Sequence, residues 1–197
     1  MTLDEVSPGL WLGIGGTTLA LAGAATGYAF WRRYRARRVL QERVASVALE
    51  NLQDVILPDG NGGWFHVDFL LLTQSGVLVV DLRDVPGLLF GSEQMTEWTV
   101  MQKTRRFTFP NPLGPLYDRI AVVRQIAGDG VPVEGRVVFT DRGNFPKGHP
   151  PHVTRLASLP GEFPMPDREF ARLAAARFQD GWKRLREAAS PSPLRRN

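Results

Sequence analysis

Two carboxylates, Asp68 and Asp81, interrupt two apolar runs that are separated by a turn signal. If the two residues between Thr73 and Gly76 form the loop of a β-hairpin, Thr73 pairs with Gly76. Continuing that antiparallel pairing along both strands places Asp68 directly opposite Asp81. Like charges at paired positions destabilise a hairpin, so something must compensate them. A divalent cation such as Mg²⁺ would do so, because convergent carboxylates suit a hard ion that prefers oxygen ligands. The spacing therefore indicates a candidate metal site.

Arg83 offers a second means of compensation. Side chains alternate along a strand, so Arg83 lies on the same face as Asp81 and could neutralise the pair in place of a cation. A third alternative is that both carboxylates lie where the hairpin leaves the core and are simply solvated. The apolar residues Val80 and Leu82 continue on the other face of this strand, which argues against a fully solvated end.

The amino-terminal part of the chain predicts a membrane anchor. Residues 9–31 contain no charged side chain. At about 1.5 Å per residue, a helix of that length spans a hydrocarbon core of about 30 Å. Both ends of this segment carry aromatic residues of the kind that mark membrane interfaces, namely Trp11, Tyr28 and Trp31. A cleaved signal peptide is the competing interpretation, but residues 1–8 are acidic rather than basic.

Five arginines in residues 32–38 predict the orientation of that anchor. Basic residues hold their side of a span in the cytoplasm, so we expect a single-pass protein of the cytoplasmic (inner) membrane, with its amino terminus outside and its body inside. The absence of cysteine excludes disulfides and thiolate metal sites. Of the net charge of +4, the arginine run contributes +5 and the tail −2, so the rest is nearly neutral and gives little evidence for nucleic-acid binding.

Gly23 and Gly27 form a small-xxx-small pair within the predicted span. Such pairs let two helices approach closely in lipid, which predicts a homodimer through this face. Small residues are common in membrane spans in any case, so a monomeric anchor is the alternative.

The elements that must position the carboxylates form an α/β pattern. In chain order we predict a helix at 38–51, a strand at 52–58, the hairpin, an extended segment at 97–109, a helix within 111–128, a strand within 131–141 and a further strand at 152–160. This order predicts a mixed β-sheet flanked by helices. The expected divisions are a tail at 1–8, a transmembrane helix at 9–31, a basic segment at 32–38, the α/β domain at 39–160, an amphipathic helix at 161–189 and a disordered tail at 190–197.

Several pieces of the sequence occur in an order typical of one protein family. They are QERVASVAL in an opening helix, DVILPDGNGGWFHVDFLLLTQSGVLVVDLRDVPGLLFGS in a three-stranded core, the later Trp98, and FPNPL before a second helix. Through these pieces, from about Gln41 to Gly128, the chain resembles the nuclease-related domain (NERD) family of the PD-(D/E)xK nuclease superfamily. The resemblance implies a restriction-endonuclease-like core and a phosphodiesterase that cleaves DNA with Mg²⁺ or Mn²⁺.

The resemblance also implies roles for four residues. Matched position by position, Asp68 takes the first acidic place and Asp81 the second, and together they would hold the metal ion. Glu42 takes the place of the helix carboxylate, and Arg83 stands where the family has its catalytic lysine. A bound Mg²⁺ can polarise a phosphoryl oxygen and activate a water molecule, while a nearby cation stabilises the charge that develops.

Two departures from the family pattern leave two hypotheses open. Arg83 stays protonated, so it can bind phosphate but cannot act as a base. Pro115 stands where the family tends to have a glutamine, and Lys103 is either a substitute for the catalytic lysine or an ordinary surface residue. The chain is therefore either a membrane-anchored, Mg²⁺-dependent nuclease or a catalytically silent domain that binds nucleic acid or a protein partner at the membrane.

The segment KTRRF and the aromatic residues Phe107 and Phe109 interleave basic and aromatic side chains. Surfaces that bind single-stranded nucleic acid have this composition. An edge strand with one solvated side has it too.

Overall fold

The computed structural model describes residues 38–60, 62–165 and 167–193. The chain divides into two compact units, of which the first ends at Glu42 and the second is Arg43–Asn197. The predicted span at 9–31, with Gly23 and Gly27, lies outside the described residues. Within them, no helix is long and apolar enough to cross a membrane.

Ten strands and five α-helices account for the regular structure of the described residues. The strands are β1 (Glu50–Pro58), β2 (Trp64–Thr73), β3 (Gly76–Arg83), β4 (Gly87–Phe90), β5 (Glu97–Gln102), β6 (Arg105–Pro110), β7 (Val133–Phe139), β8 (Gly143–Asn144), β9 (Val153–Arg155) and β10 (Ser190–Pro191). The helices are α1 (38–45), α2 (Leu113–Ala127), α3 (Leu159–Glu162), α4 (Arg168–Ala175) and α5 (Gln179–Ala188), with a 3₁₀ turn at Ala176–Phe178. The strands form two mixed sheets, so the predicted α/β class with a mixed sheet flanked by helices is confirmed.

The six-stranded sheet has the order β10-β1-β2-β3-β7-β9. Antiparallel pairing joins β1, β2 and β3, and parallel pairing joins β3, β7 and β9. The predicted hairpin register is confirmed, since Thr73 pairs with Gly76 and the ladder continues to Phe69 opposite Val80. Helix α2 makes the crossover that leads into β7 and packs its apolar face on the sheet.

The four-stranded sheet, with the order β6-β5-β4-β8, was not predicted. The segment expected to be one extended stretch folds back between Gln102 and Arg105, where Lys103 adopts a φ of 54°. Trp98 of β5 joins this sheet to the rest of the core. Its ring is fully buried and stacks on Phe139 of β7, with centroids 6.1 Å apart.

Three predicted elements end differently in the structure. The first helix stops at residue 45 rather than 51, because the N–H of Leu49 donates to the carbonyl of Leu72 and the chain enters β1 at Glu50. The final helix is divided by the 3₁₀ turn, whose Phe178 is buried in the core. The expected disordered tail begins with β10, which pairs with β1.

Candidate functional site

Asp81 is the most deeply buried charged group of the candidate site. It lies in β3 between β2 and β7, and its side chain is only 3% exposed. Two guanidinium groups share its Oδ2 atom: Nη2 of Arg83 lies 2.7 Å away and Nη1 of Arg119 lies 3.5 Å away. The carboxylate is therefore compensated by two arginines.

These arginines reach Asp81 from different elements. Arg83 is two residues further along β3 and on the same face, as predicted from strand alternation. Arg119 comes from α2, and its Nε donates to the carbonyl of His66 at 2.6 Å. The helix can lie close to the sheet because Gly135 of β7 has no side chain; a Cβ there would meet Cδ1 of Ile120 at 2.5 Å.

Asp68 lies beside this pair but has different partners. The β2–β3 ladder is formed as far as Phe69 opposite Val80, one position short of the two aspartates. Beyond that point the backbone N–H of Leu82 donates to Oδ2 of Asp68 at 2.9 Å. The carboxylate of Asp68 therefore accepts a backbone hydrogen bond just beyond the last paired residues of β2 and β3.

His66 connects Asp68 to a third carboxylate that the sequence analysis did not identify. Its Nε2 lies 2.7 Å from Oδ1 of Asp54, and its Nδ1 lies 3.6 Å from Oδ1 of Asp68. Asp54 lies in β1 with a φ of 53°, between residues that pair in register with β2. Continuing the antiparallel register from β2 to β1 would have identified Asp54 as a neighbour of Asp68.

Each candidate metal ligand, Asp68 and Asp81, has a carboxylate oxygen that is paired with protein donors in this structure rather than with a metal ion. Across the described ranges 38–60, 62–165 and 167–193, no group of three or more histidine, aspartate or glutamate residues could hold one. Oδ2 of Asp81 faces two guanidiniums, and Oδ2 of Asp68 accepts the N–H of Leu82. Glu42, the predicted helix carboxylate, is exposed on α1 in the first compact unit.

Both arginines have N–H donors that make no hydrogen bond within the described part of the chain. Nε of Arg83 is buried and has no hydrogen-bond acceptor within the described part of the chain, and Nη1 of Arg119, also buried, has only the distant contact with Oδ2 of Asp81 at 3.5 Å. The side chain of Arg83 is 33% exposed, so the outer part of its guanidinium is available to a further acceptor. The oxygens of a phosphate group suit this role, because guanidinium forks match their geometry and charge.

The other sequence features lie on different elements from the aspartates. Pro115 is exposed in the first turn of α2, and Lys103 is exposed at the turn between β5 and β6. A cavity of about 390 Å³ lies at the turn end of β2 and β3, lined in part by Thr73, Arg136 and Glu162. It therefore lies at the opposite end of these strands from the candidate site.

The sequence around these residues is similar to known proteins. The family described as the nuclease-related domain matches residues 32–140. An uncharacterized protein from Bacillus anthracis is 24% identical over 88 residues, which cover 45% of this chain and 42% of that protein. The chain thus spans less than half of the length of this curated relative. No solved structure matches the chain.

Proposed function

Because the chain belongs to the nuclease-related domain (NERD) family, we propose that it is a catalytically silent member that binds the phosphates of DNA without cleaving them. The observation that carries this proposal is the pair of arginines on Asp81. They neutralise the carboxylate that would otherwise attract a metal ion. Arg83, whose side chain is 33% exposed, presents a guanidinium fork that matches the geometry and charge of a phosphate.

The chemistry of arginine supports phosphate binding without hydrolysis of the phosphodiester. Cleavage of a phosphodiester in this family's manner requires a metal ion that activates a water molecule. A guanidinium stays protonated, so neither Arg83 nor Arg119 can replace the metal as a source of hydroxide or act as a base. Both can hold a phosphate in place, which accounts for binding but not for the reaction.

A second candidate function is Mg²⁺- or Mn²⁺-dependent cleavage of DNA. It is favoured by the exposure of Arg83, whose side chain is 33% accessible. Asp68 and Asp81 would then hold the metal, and Arg83 would contact the scissile phosphate. The family resemblance assigns the remaining carboxylate to Glu42.

A cleavage assay separates the two functions. The full chain in detergent, incubated with supercoiled plasmid and Mg²⁺ or Mn²⁺, is expected to retard the plasmid in a gel but leave it intact. Bound protein is removed before electrophoresis in a parallel lane, so that nicking is read independently of binding. Metal-dependent nicking that Asp81→Asn abolishes would overturn the silent function and establish the second candidate.

We also propose that this domain is held at the cytoplasmic face of a membrane by the predicted helix at 9–31, and that two copies of this helix pair through Gly23 and Gly27. The support is the uncharged length of that segment and the five arginines that follow it. This placement would keep DNA binding close to the membrane surface.

Membrane retention tests the anchor. The full chain is expected to stay in the membrane fraction after a high-salt wash and to be released by detergent, because apolar burial is insensitive to salt. A reporter fused after Asn197 should be active only as a cytoplasmic fusion. Release by salt alone would instead indicate attachment through the arginines at 32–38.

A further inference from the structure

The turn end of the β5–β6 hairpin combines three cationic side chains with an exposed aromatic ring. Lys103, Arg105 and Arg106 are all exposed, and Phe107 is 45% exposed. They lie on β6 and the turn before it, at the edge of the four-stranded sheet. The next aromatic residue along β6, Phe109, instead packs edge-on against Trp98 and anchors the strand.

The charges of this hairpin are not neutralised by neighbouring acids. Among the residues that the structure describes, none of the three cations forms an ion pair. Arg106 donates to the hydroxyl of Thr99 at 3.3 Å, which leaves its charge intact. The only acidic residue of the hairpin, Glu97, pairs with Pro110 at the opposite end. The turn end is therefore a concentrated positive surface on a domain that is nearly neutral overall.

A hydrogen bond ties this surface to the chain segment that leaves the candidate site. The side-chain amide of Gln102, the last residue of β5, donates to the carbonyl of Pro86 at 2.9 Å. Pro86 follows Arg83 by three residues and precedes β4. The basic turn end and Arg83 are therefore connected through the short segment from Asp84 to Pro86.

We propose that the turn end of this hairpin binds single-stranded nucleic acid, with Phe107 stacked on a base and Lys103 and Arg105 on neighbouring phosphates. Arg106 lies on the opposite face of β6 and adds only to the local positive charge. Exposed cations attract any polyanion, but an exposed ring selects for bases that are free to stack. In a duplex the faces of the bases are already stacked on one another. This inference rests on the proposed function and names its substrate class.

Binding of the full chain in detergent to a labelled oligothymidylate tests the role of the ring. Replacement of Phe107 by alanine is expected to weaken binding about tenfold, as measured by fluorescence anisotropy. Binding to the duplex formed with the complementary strand should change less than about twofold. Phe107→Leu, which keeps an apolar side chain beside Val100, should weaken single-strand binding similarly, whereas Phe107→Trp should preserve it.

Salt dependence tests the role of the charges. Arg105→Glu is expected to weaken binding and to reduce the slope of log affinity against log salt by about 0.7 or more, because at least one phosphate contact is lost. Arg155→Glu is the matched control. Arg155 is also exposed, and its replacement by glutamate changes the charge by the same amount, but it lies on β9 of the other sheet. It should leave the slope unchanged.

The possible failures are distinguishable. If the wild type binds neither nucleic acid, the proposed function and this inference are both wrong. If it binds but the variants at Phe107 and Arg105 bind as well as the wild type, only the hairpin assignment is wrong. Equal losses for single strand and duplex in Phe107→Ala would overturn base stacking. If the charge reversal lowers only binding to anionic lipid vesicles, the surface contacts lipid and the inference fails.

Discussion

Replacing Arg83 and Arg119 together with alanine is expected to lower the free energy of unfolding by about 3–5 kcal/mol in metal-free buffer. The reason is that Asp81 is almost fully buried and would lose both of the cations that compensate its carboxylate. Urea unfolding followed by far-UV circular dichroism measures the change. The loss should be much larger than for a typical surface substitution, which stays within about 0.5 kcal/mol.

Added Mg²⁺ should restore part of that stability in the double variant but not in the wild type. A ligand that binds only the folded state stabilises it, and removal of both guanidiniums leaves the two aspartates open to a cation. Wild-type protein that is stabilised by Mg²⁺ to the same extent would show that the arginines do not exclude the ion.

The matched control repeats the double substitution in an Asp81→Asn background. With no buried charge left at position 81, removal of the arginines should cost far less, and the difference between the two backgrounds measures the ionic coupling. Equal losses in both backgrounds would mean that the arginines stabilise the protein by packing of their aliphatic stems and by the bond from Arg119 to His66.

Trp98→Ala is the second substitution with a large expected effect, a loss of about 3–5 kcal/mol in the free energy of unfolding. The indole is fully buried, contacts three other aromatic rings and donates its N–H to the carbonyl of Ser92 at 3.1 Å. Truncation would remove both the packing between the two sheets and this hydrogen bond. Urea unfolding of the variant gives the value.

Trp64→Ala is the control for this substitution, since Trp64 is 60% exposed at the start of β2. We expect it to change stability by no more than about 0.5 kcal/mol. A similar small loss for Trp98→Ala would mean that the four-stranded sheet contributes little to the stability of the six-stranded one. A large loss would also predict faster proteolysis of the β5–β6 hairpin, because its attachment to β7 depends on this ring.

The parts of the fold that were predicted correctly are those fixed by local sequence. The turn between Thr73 and Gly76 sets the register of β2 and β3, because a slip of one residue would turn every buried side chain outward. Helix α2 and strand β7 were predicted from their apolar periodicity. These elements carry Asp68, Asp81 and Arg83, so their neighbourhood could be expected before the structure was seen.

The parts that were missed depend on contacts between distant segments. Strands β4, β5 and β6 lie between Asp81 and Arg119 in the chain, and helical periodicity says only that Arg119 borders the apolar face of α2. The β5–β6 turn has no glycine or proline to mark it, because Lys103 supplies the positive φ. The catalytic or binding roles of the aspartates and Arg83 remain predictions that the proposed experiments test.

The pairing of β10 with β1 also determines how the chain behaves towards copies of itself. Ser190 and Pro191 cover part of the outer edge of β1, and the N–H of Ser192 donates to the carbonyl of Asp54 at 2.9 Å. An uncovered strand edge is a template on which another chain can add and aggregate. Since proline has no backbone N–H, Pro191 cannot donate a hydrogen bond to a further strand that would add outside β10. A chain shortened before Ser190 would lose this protection and gain a route to intermolecular β-sheet.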